Sequence, residues 1–412
     1  MAELKARVFR QILCEWIARK VPVDRVVNES FREHRLGPSE RAAVGDRVYS
    51  WVRHWAESGM ELWTSIPQKP RDLKAFNDQI QFLWEHPWSE ELHERLEPSF
   101  RSDPQGHLKR FHNWKPELWP GSGDPSFLTA LHDYLHASWS PAPLTLRWLA
   151  EPVDSAQVLE HFPGARLSRF VPGAVHLDSR MKLNRDSGLF EIQDESSQMI
   201  SRIVNPQPGE KILDLCAGAG GKTLHLANLM KGRGELWAFD RDTRKLQELM
   251  LRARRLGLTN IRCLSQAPTQ RDFDVVLVDA PCSSLGVLRR TPDRWMAFGE
   301  DHLRGLRHAQ SELAEQALSL TLPSGRAFFA TCSFRLDEAE PLSGLSPKEL
   351  DWSWVDPSLR ATFLTELRQS PAARIAASWP GRGAPNAFVW SWSNRQGSGS
   401  FEGDGFSLCR LH

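Results

Sequence analysis

Two cysteines stand where chemistry is expected. Cys282 lies in Asp279-Ala-Pro-Cys-Ser-Ser-Leu-Gly286 and Cys332 in Thr331-Cys-Ser-Phe334, each just after a short apolar run, 275–278 and 326–330. A thiol at a strand end is ordinarily a small buried apolar side chain. Two of them at such ends, one beside an aspartate, instead suit a nucleophile facing a crevice. A glycine-rich turn, Asp214-Leu-Cys-Ala-Gly-Ala-Gly-Gly-Lys-Thr223, adds a ligand cradle. Its glycines let the backbone approach a ligand, and the helix that follows presents unpaired N–H groups that suit a carboxylate or a phosphate equally. Gly221-Lys222-Thr223 fits the end of a Walker A loop, but the place of that loop's first glycine is held by Cys216, while the run ending at Asp279 imitates a Walker B strand. Asp240 follows the run 235–239, about twenty residues beyond the turn, where an acid holds two ribose hydroxyls. That favours a nucleoside-type ligand, although an aspartate there also reads as a helix cap, as does Thr243.

The elements that must carry these residues follow from periodicity. Short apolar runs at 211–215, 235–239, 275–278 and 326–330 alternate with helical patterns, among them Leu224–Met230, which predicts a parallel sheet with ligands at its carboxyl ends. Nearer the start, Leu4, Val8, Phe9, Ile12, Leu13, Trp16 and Ile17 recur at helical spacing. A second helix is expected after a Ser39 cap, with Val44, Val48, Trp51, Val52 and Trp55 as its stripe. The stretch from Trp119 to Pro125 reads as a connection, and Leu144–Leu149 as a strand that opens a small unit ending near residue 190. The expected organisation is multidomain: an all-α domain over 1–138, a small α+β segment over 139–190 and an α/β Rossmann-like domain over 191–412.

Composition sets outer bounds. A length of 412 residues predicts two or three domains, and 41% hydrophobic with 25% charged residues excludes disordered, collagen-like and coiled-coil classes. The net charge of +1 does not announce a nucleic-acid partner, so local features must carry that reading. Six cysteines without a CxxC pair indicate neither a disulfide scaffold nor a metal site. Seventeen tryptophans against two tyrosines read as core and interface filling. No run reaches the roughly 18 apolar residues of a membrane span, and the start lacks a signal peptide's apolar middle, so a cytoplasmic protein without membrane contact is expected.

Taken together, Gln193-Asp-Glu-Ser-Ser-Gln198, Asp214 to Thr223, Asp279 to Gly286 with Arg289-Arg290-Thr-Pro-Asp293, and Thr331-Cys-Ser333 resemble the Nop/Sun family of RNA cytosine-5 methyltransferases over roughly residues 190 to 335. Ala6-Arg7, Arg41-Ala-Ala-Val44 and Val48-Tyr49 through Val52-Arg53 look like a NusB-type helical RNA-binding domain, a combination found in bacterial enzymes that modify small-subunit ribosomal RNA. The resemblance implies S-adenosylmethionine as methyl donor and RNA, ribosomal RNA first, as partner of a monomer. It makes Cys332 the thiolate that adds to cytosine C6, Cys282 the residue that assists release, Asp279 a contact to the base, and Lys222 a further active-site residue. It places the donor along Cys216, Ala217, Gly218, Ala219, Gly220, Gly221 and Lys222, its ribose on Asp240 and its sulfonium near Asp279.

Departures from the family pattern accompany these expectations. The turn lacks the usual proline, Ser265-Gln-Ala267 stands where an adenine-binding aspartate is usual, and Asp337-Glu-Ala-Glu340 replaces Glu-Asn-Glu, which predicts the loss of a polar partner. Arg289, Arg290 and Arg294, and the cluster Arg241, Arg244, Lys245, Arg252, Arg254 and Arg255, read either as phosphate contacts or as solvated faces. Transfer RNA is the alternative substrate. A P-loop nucleotidase and a non-catalytic RNA-binding assembly factor are the alternatives of other classes.

Overall fold

The N-terminal apolar stripe folds as its spacing predicts. In the computed structural model, which describes residues 2–19, 22–58, 123–138, 142–177, 183, 188–297, 299–342, 350–353, 355–377, 388–390 and 404–411, helix α1 spans Ala2–Arg19, α2 Val23–Glu33 and α3 Pro38–Ser58. Val8, Phe9, Ile12, Leu13, Trp16 and Ile17 bury against Val44, Val48, Trp51 and Val52, and Trp16 meets Trp51 edge to face at 5.9 Å. Helix α3 starts at Pro38 and not behind a Ser39 cap. Proline suits a first helical position because it has no N–H to leave orphaned, and the Glu40 carboxylate accepts from the Gly37 N–H (2.5 Å) to close the turn without a serine. The expected connection lies outside the described residues as far as residue 122, as do the side chains of Arg53 and Trp55.

Two compact units divide the chain: Met1–Ser140 with Leu288–Gly299, and Pro141–Val287 with Glu300–His412. The first also holds α4 (Pro125–Ser138). Its 288–299 segment supplies a distant cap, since the Asp293 carboxylate accepts from the Val23 N–H (3.1 Å) where Pro22 offers α2 no side-chain acceptor. Burial raises the Asp293 pKa.

The second unit opens with a four-stranded antiparallel sheet of order β2-β3-β1-β4, formed by β1 (Leu144–Trp148), β2 (Arg166–Leu167), β3 (Ala174–Leu177) and β4 (Phe190–Ile192), with α5 (Ser155–His161) between β1 and β2. Leu146, Trp148, Val175 and Phe190 pack there with Val158 and Phe162. Helix α6 (Glu195–Val204) leads into the main sheet.

All four apolar runs of the carboxyl half are strands: β5 (Lys211–Asp214), β6 (Glu235–Ala238), β8 (Phe273–Asp279) and β9 (Thr321–Thr331). With β7 (Ile261–Cys263), β10 (Phe388–Trp390) and β11 (Phe406–Arg410) they form seven strands in the order β10-β11-β9-β8-β5-β6-β7. Between them run α7 (Gly221–Leu229), α8 (Thr243–Arg255), α9 (Arg294–Ala297, in the first unit), α10 (Glu300–Leu320), α11 (Leu336–Ala339), α12 (Pro357–Gln369) and α13 (Pro371–Ala377). Five strands are parallel, but β11 joins β9 antiparallel and β10 joins β11 antiparallel, so the sheet is mixed where the rhythm predicts a parallel one. Antiparallel neighbours need no helical crossover, which is why the tail carries no strand–helix rhythm.

Candidate active site

The glycine turn leaves β5 and enters α7, which begins at Gly221, three residues before the expected Leu224. Gly220 has φ +92°, and a Cβ there would stand 2.6 Å from the Leu249 Cγ, so no other residue fits beneath α8. Thr223 Oγ1 donates to the Asp214 carboxylate (2.7 Å), whose pKa burial pushes up to about 7. Asp240 follows β6 and accepts from the Gly218 N–H (2.8 Å) and the Asp242 N–H (2.8 Å), pinning the turn to the neighbouring strand. The cap of α8 is Asp242, not Thr243, because the Asp242 carboxylate accepts from the Arg244 N–H. Ala217 N–H donates to the Phe239 carbonyl (2.9 Å), and Ala219 O accepts from Arg252 (2.6 Å). Burial raises the pKa of Cys216 far above that of a free thiol, first through desolvation and then through the nearby Asp214, Asp279 and Asp240, so it stays an S–H.

Parallel pairing of β8 with β9 brings the two cysteines together. The register sets Asp279 opposite Ala330, so the segments leaving the two strands run side by side and the sulfurs of Cys282 and Cys332 meet at 3.2 Å. Their environments differ. Donation from Cys282 lowers the Cys332 pKa against the opposing pull of burial and Asp279, with the Ser284 hydroxyl (3.6 Å) and the charge of Lys222 assisting. Cys282 is pushed well above a thiol's usual range by its bond to Cys332, by burial and by the charge of Glu338. Cys332 is therefore the more acidic sulfur of the pair and Cys282 the one that favours its proton. Beside them Lys222, only 7% exposed, donates to the Asp279 carboxylate (2.6 Å) and lies 5.0 Å from the Phe406 ring centroid.

Glu338 had no place in the sequence reading, where the changed Asp337-Glu-Ala-Glu340 stretch predicts a lost polar partner. The partner is present. Helix α11 turns Glu338, fully buried, beneath both cysteine segments. Its carboxylate accepts from the Ser283 N–H (2.8 Å), the Ser283 hydroxyl (2.5 Å), the Ser333 hydroxyl (2.7 Å) and the Gln310 amide (3.2 Å). Hydrogen bonds to a charged group contribute about 1.5–3 kcal/mol each, so four of them offset the several kcal/mol that burying one carboxylate costs.

The basic helix α8 divides in a way its sequence does not reveal. Arg252 (2.5 Å) and Arg255 both pair with Glu191 of β4, a carboxylate only 4% exposed, so these two bind the small sheet to the main one and are not free for phosphate. The Gln193–Gln198 motif is also a brace. Gln193 accepts from Arg147 (2.7 Å), Asp194 caps α6 and accepts from the Asp404 N–H (3.1 Å), and the Ser196 hydroxyl donates to the Asp404 carbonyl (2.6 Å).

Gly286 ends the Cys282 segment, donating its N–H to the Cys332 carbonyl (2.9 Å) while its own carbonyl accepts from the Gly405 N–H (2.7 Å). A Cβ at Gly286 would lie 1.8 Å from the Gly405 carbonyl oxygen, and a backbone atom cannot swing aside as a side chain does. Gly286→Ala is expected to cost about 3 kcal/mol of stability, readable as a lower urea midpoint at an unchanged slope. Among the described residues, no group of three or more His, Cys, Asp or Glu is placed to hold a metal, and no helix is long and apolar enough to cross a membrane.

With this geometry in view, the relatives are informative. Residues 201–343 match the family described as 16S rRNA methyltransferase RsmB/F. The chain is 38% identical over 192 residues to the probable ribosomal RNA small subunit methyltransferase B of Synechocystis, covering 43% of each chain. It is 32% identical over 256 residues to ribosomal RNA small subunit methyltransferase B of Escherichia coli, covering 57% of this chain and 55% of that one. It is also 34% identical over 167 residues to human tRNA (cytosine(72)-C(5))-methyltransferase NSUN6, covering 36% of this chain and 35% of that one. The match thus spans about a third to a half of the length of these relatives. Among solved structures, the crystal structure of PH0851 aligns at a TM-score of 0.60 and 19% identity over 98% of each chain. NSun6 from Pyrococcus horikoshii aligns at 0.51 and 15%, covering 69% of this chain and 94% of that one. These two likenesses establish the fold. Over residues 201–343 the chain is thus similar to the methyltransferases of the RsmB/F family, in keeping with the Nop/Sun group that its two cysteine motifs resemble.

Proposed function

We propose that this protein transfers a methyl group from S-adenosylmethionine to carbon 5 of a cytosine in small-subunit ribosomal RNA through a covalent bond between Cys332 and C6. The observation that carries this reading is the 3.2 Å contact between an acidified Cys332 and a proton-bearing Cys282, with Lys222 and Asp279 alongside. S-adenosylmethionine, when bound, supplies the electrophilic methyl. The turn suits that donor: α7 begins without a side-chain cap, leaving first-turn N–H groups for a carboxylate, and a Cβ on Gly218 or Gly221 would meet nothing within 4 Å, so there is room beside the backbone. Cys216 to Lys222 would line it, with Asp240 at the ribose and Asp279 near the sulfonium.

Cytosine C5 is a weak nucleophile. The Cys332 thiolate bonds to C6 and drives electron density to C5, which takes the methyl, and the donor's sulfur leaves with the bonding electrons. A water molecule then takes the C5 proton, the electron pair of that bond re-forms the C5–C6 double bond, and the C6–S bond breaks with its electrons returning to Cys332 as the thiolate. Asp279 contacts the N3 edge of the base, Lys222 holds Asp279, and Cys282 assists release. We assign the helical unit to RNA binding in the manner of a NusB-type domain, and Arg241, Lys245, Arg254, Arg289, Arg290 and Arg294 to phosphate contact. The protein is placed in the cytoplasm as a monomer. Its target base must leave the stack at a cost of a few kcal/mol, which favours loops or opened helices.

The alternative of transfer RNA is favoured by the NSUN6 relative. Tritium transfer from labelled donor into separated RNA pools decides, with incorporation into small-subunit ribosomal RNA expected and incorporation into transfer RNA alone counting against it. A nucleotidase reading has less support, because the first Walker glycine is Cys216 and Lys222 is engaged by Asp279 beside two thiols. The intact thiol pair likewise disfavours a non-catalytic assembly factor.

A further inference from the structure

The two thiols are chemically identical in sequence terms and 3.2 Å apart, so something must give them different roles. Their flanking residues repeat the same spacing: Ser283 follows Cys282 and Ser333 follows Cys332, and the two hydroxyls lie 3.3 Å apart. One carboxylate reaches both. Glu338 Oε2 accepts from both hydroxyls (2.5 and 2.7 Å), and Oε1 accepts from the Ser283 N–H (2.8 Å) and from Gln310, which also donates to the Pro281 carbonyl (2.8 Å). Four donors converge on two oxygens, the pattern of an acceptor-only carboxylate. Glu338 is fully buried and bonded to the serines that follow both cysteines, so it is placed to act on the thiols and not on a substrate.

We propose that Glu338 is a positioning residue that divides the labour of the two thiols: it clamps Ser283 to Ser333 to fix the contact between the sulfurs, and its charge, seated on the Cys282 side, keeps Cys282 as the S–H donor and leaves Cys332 the anion. The asymmetry comes from connectivity. The carboxylate takes a backbone N–H from the Cys282 segment but only a hydroxyl from the Cys332 segment. Its charge is among the causes that raise the Cys282 pKa, whereas the leading influences on Cys332 are Cys282, burial, Asp279, Ser284 and Lys222. The residue rests on the proposed reaction only for its purpose. Its effect on the thiols needs neither RNA nor methyl donor.

The test is alkylation of the full chain by iodoacetamide across pH, mapped by mass spectrometry at each cysteine. In the native protein Cys332 is expected to react at least about tenfold faster than Cys282 near neutral pH, because rate follows thiolate fraction. Glu338→Gln keeps the shape and the acceptor for the Ser283 N–H but removes the charge, so Cys282 becomes more acidic and the Cys332-to-Cys282 rate ratio falls by about tenfold, equivalent to one pKa unit. Glu338→Asp keeps the charge and is expected to hold most of the ratio. An unchanged ratio in a folded Glu338→Gln protein overturns the proposal. So does an equal fall in both variants, which is what a purely structural carboxylate would give. Should Glu338→Gln not fold, Ser283→Ala removes one strut and is expected to lower the ratio, and an unchanged ratio there overturns the proposal as well. A protein that fails to methylate RNA yet shows these ratios would sink the proposed reaction and leave the role of Glu338 standing.

Discussion

Cys332→Ala should lower methyl transfer by on the order of a thousandfold or more while leaving the protein folded. Without a thiolate at C6, cytosine C5 has no enamine-like electron density to offer the donor, and Cys282 does not take over as nucleophile, since burial and the charge of Glu338 still favour its protonated form once Cys332 is removed. Removing one half-buried sulfur leaves only a small void, so thermal unfolding should shift by a few degrees at most. Single-turnover methylation with labelled donor checks the first effect. Donor affinity, measured separately, should stay near the native value, because the glycine turn and Asp240 are untouched.

Cys282→Ala should behave differently. The covalent bond to RNA still forms but is not released, so a denaturation-resistant complex accumulates and multiple turnover falls by on the order of a hundredfold or more. A second effect follows from the contact between the sulfurs. Cys332 owes its lowered pKa first to donation from Cys282, and the variant lacks that donor. The reactive form is the thiolate, so the rate of adduct formation rises with pH and levels off above the Cys332 pKa. In Cys282→Ala the pKa of Cys332 is higher and the inflection moves to higher pH: adduct formation is slower near neutrality and recovers in alkali. Adduct rates across pH, measured by denaturing gel, test this. An inflection that stays in place would mean that Cys282 does not acidify its neighbour.

How much of this was legible in the sequence depends on whether the signal was local. The four apolar runs became β5, β6, β8 and β9 because strands buried on both faces must be apolar throughout, and the rule that chemistry gathers at carboxyl ends found Asp214, Asp240, Asp279 and both cysteines. Even the meeting of the sulfurs followed from placing two such runs in one sheet. Partners distant in sequence were hidden. Glu338 looked like one acid in an altered stretch, since nothing near it shows that a short helix returns it to Ser283, 55 positions away. Arg252 and Arg255 read either as phosphate contacts or as a solvated face, and only the fold brings Glu191 to them, 61 and 64 positions back. Caps slipped by a residue for a subtler reason: Ser39 and Thr243 have the right chemistry, but Pro38 already fits the first turn and Asp242 is the stronger acceptor.

The source of Cys332 activation was the largest gap at the sequence level, and its neighbours fill it. Hydrogen bonds with Cys282 and Ser284 and the charge of Lys222 act against burial and Asp279. Ser284 adopts φ +60°, a left-handed conformation uncommon for a residue with a side chain, and this turn places its hydroxyl 3.6 Å from the sulfur. A rare backbone conformation beside the proposed nucleophile is where strain tends to be retained for function.

Trapping the protein on RNA that carries 5-fluorocytosine, whose fluorine cannot leave as a proton, tests the central claim most directly. Protease digestion and mass spectrometry then identify the residue bonded to the pyrimidine. The peptide containing Cys332 should carry the modified base, with Cys282 free. A base found on Cys282, or no covalent bond while methylation of ordinary cytosine proceeds, would contradict the assignment of the two thiols.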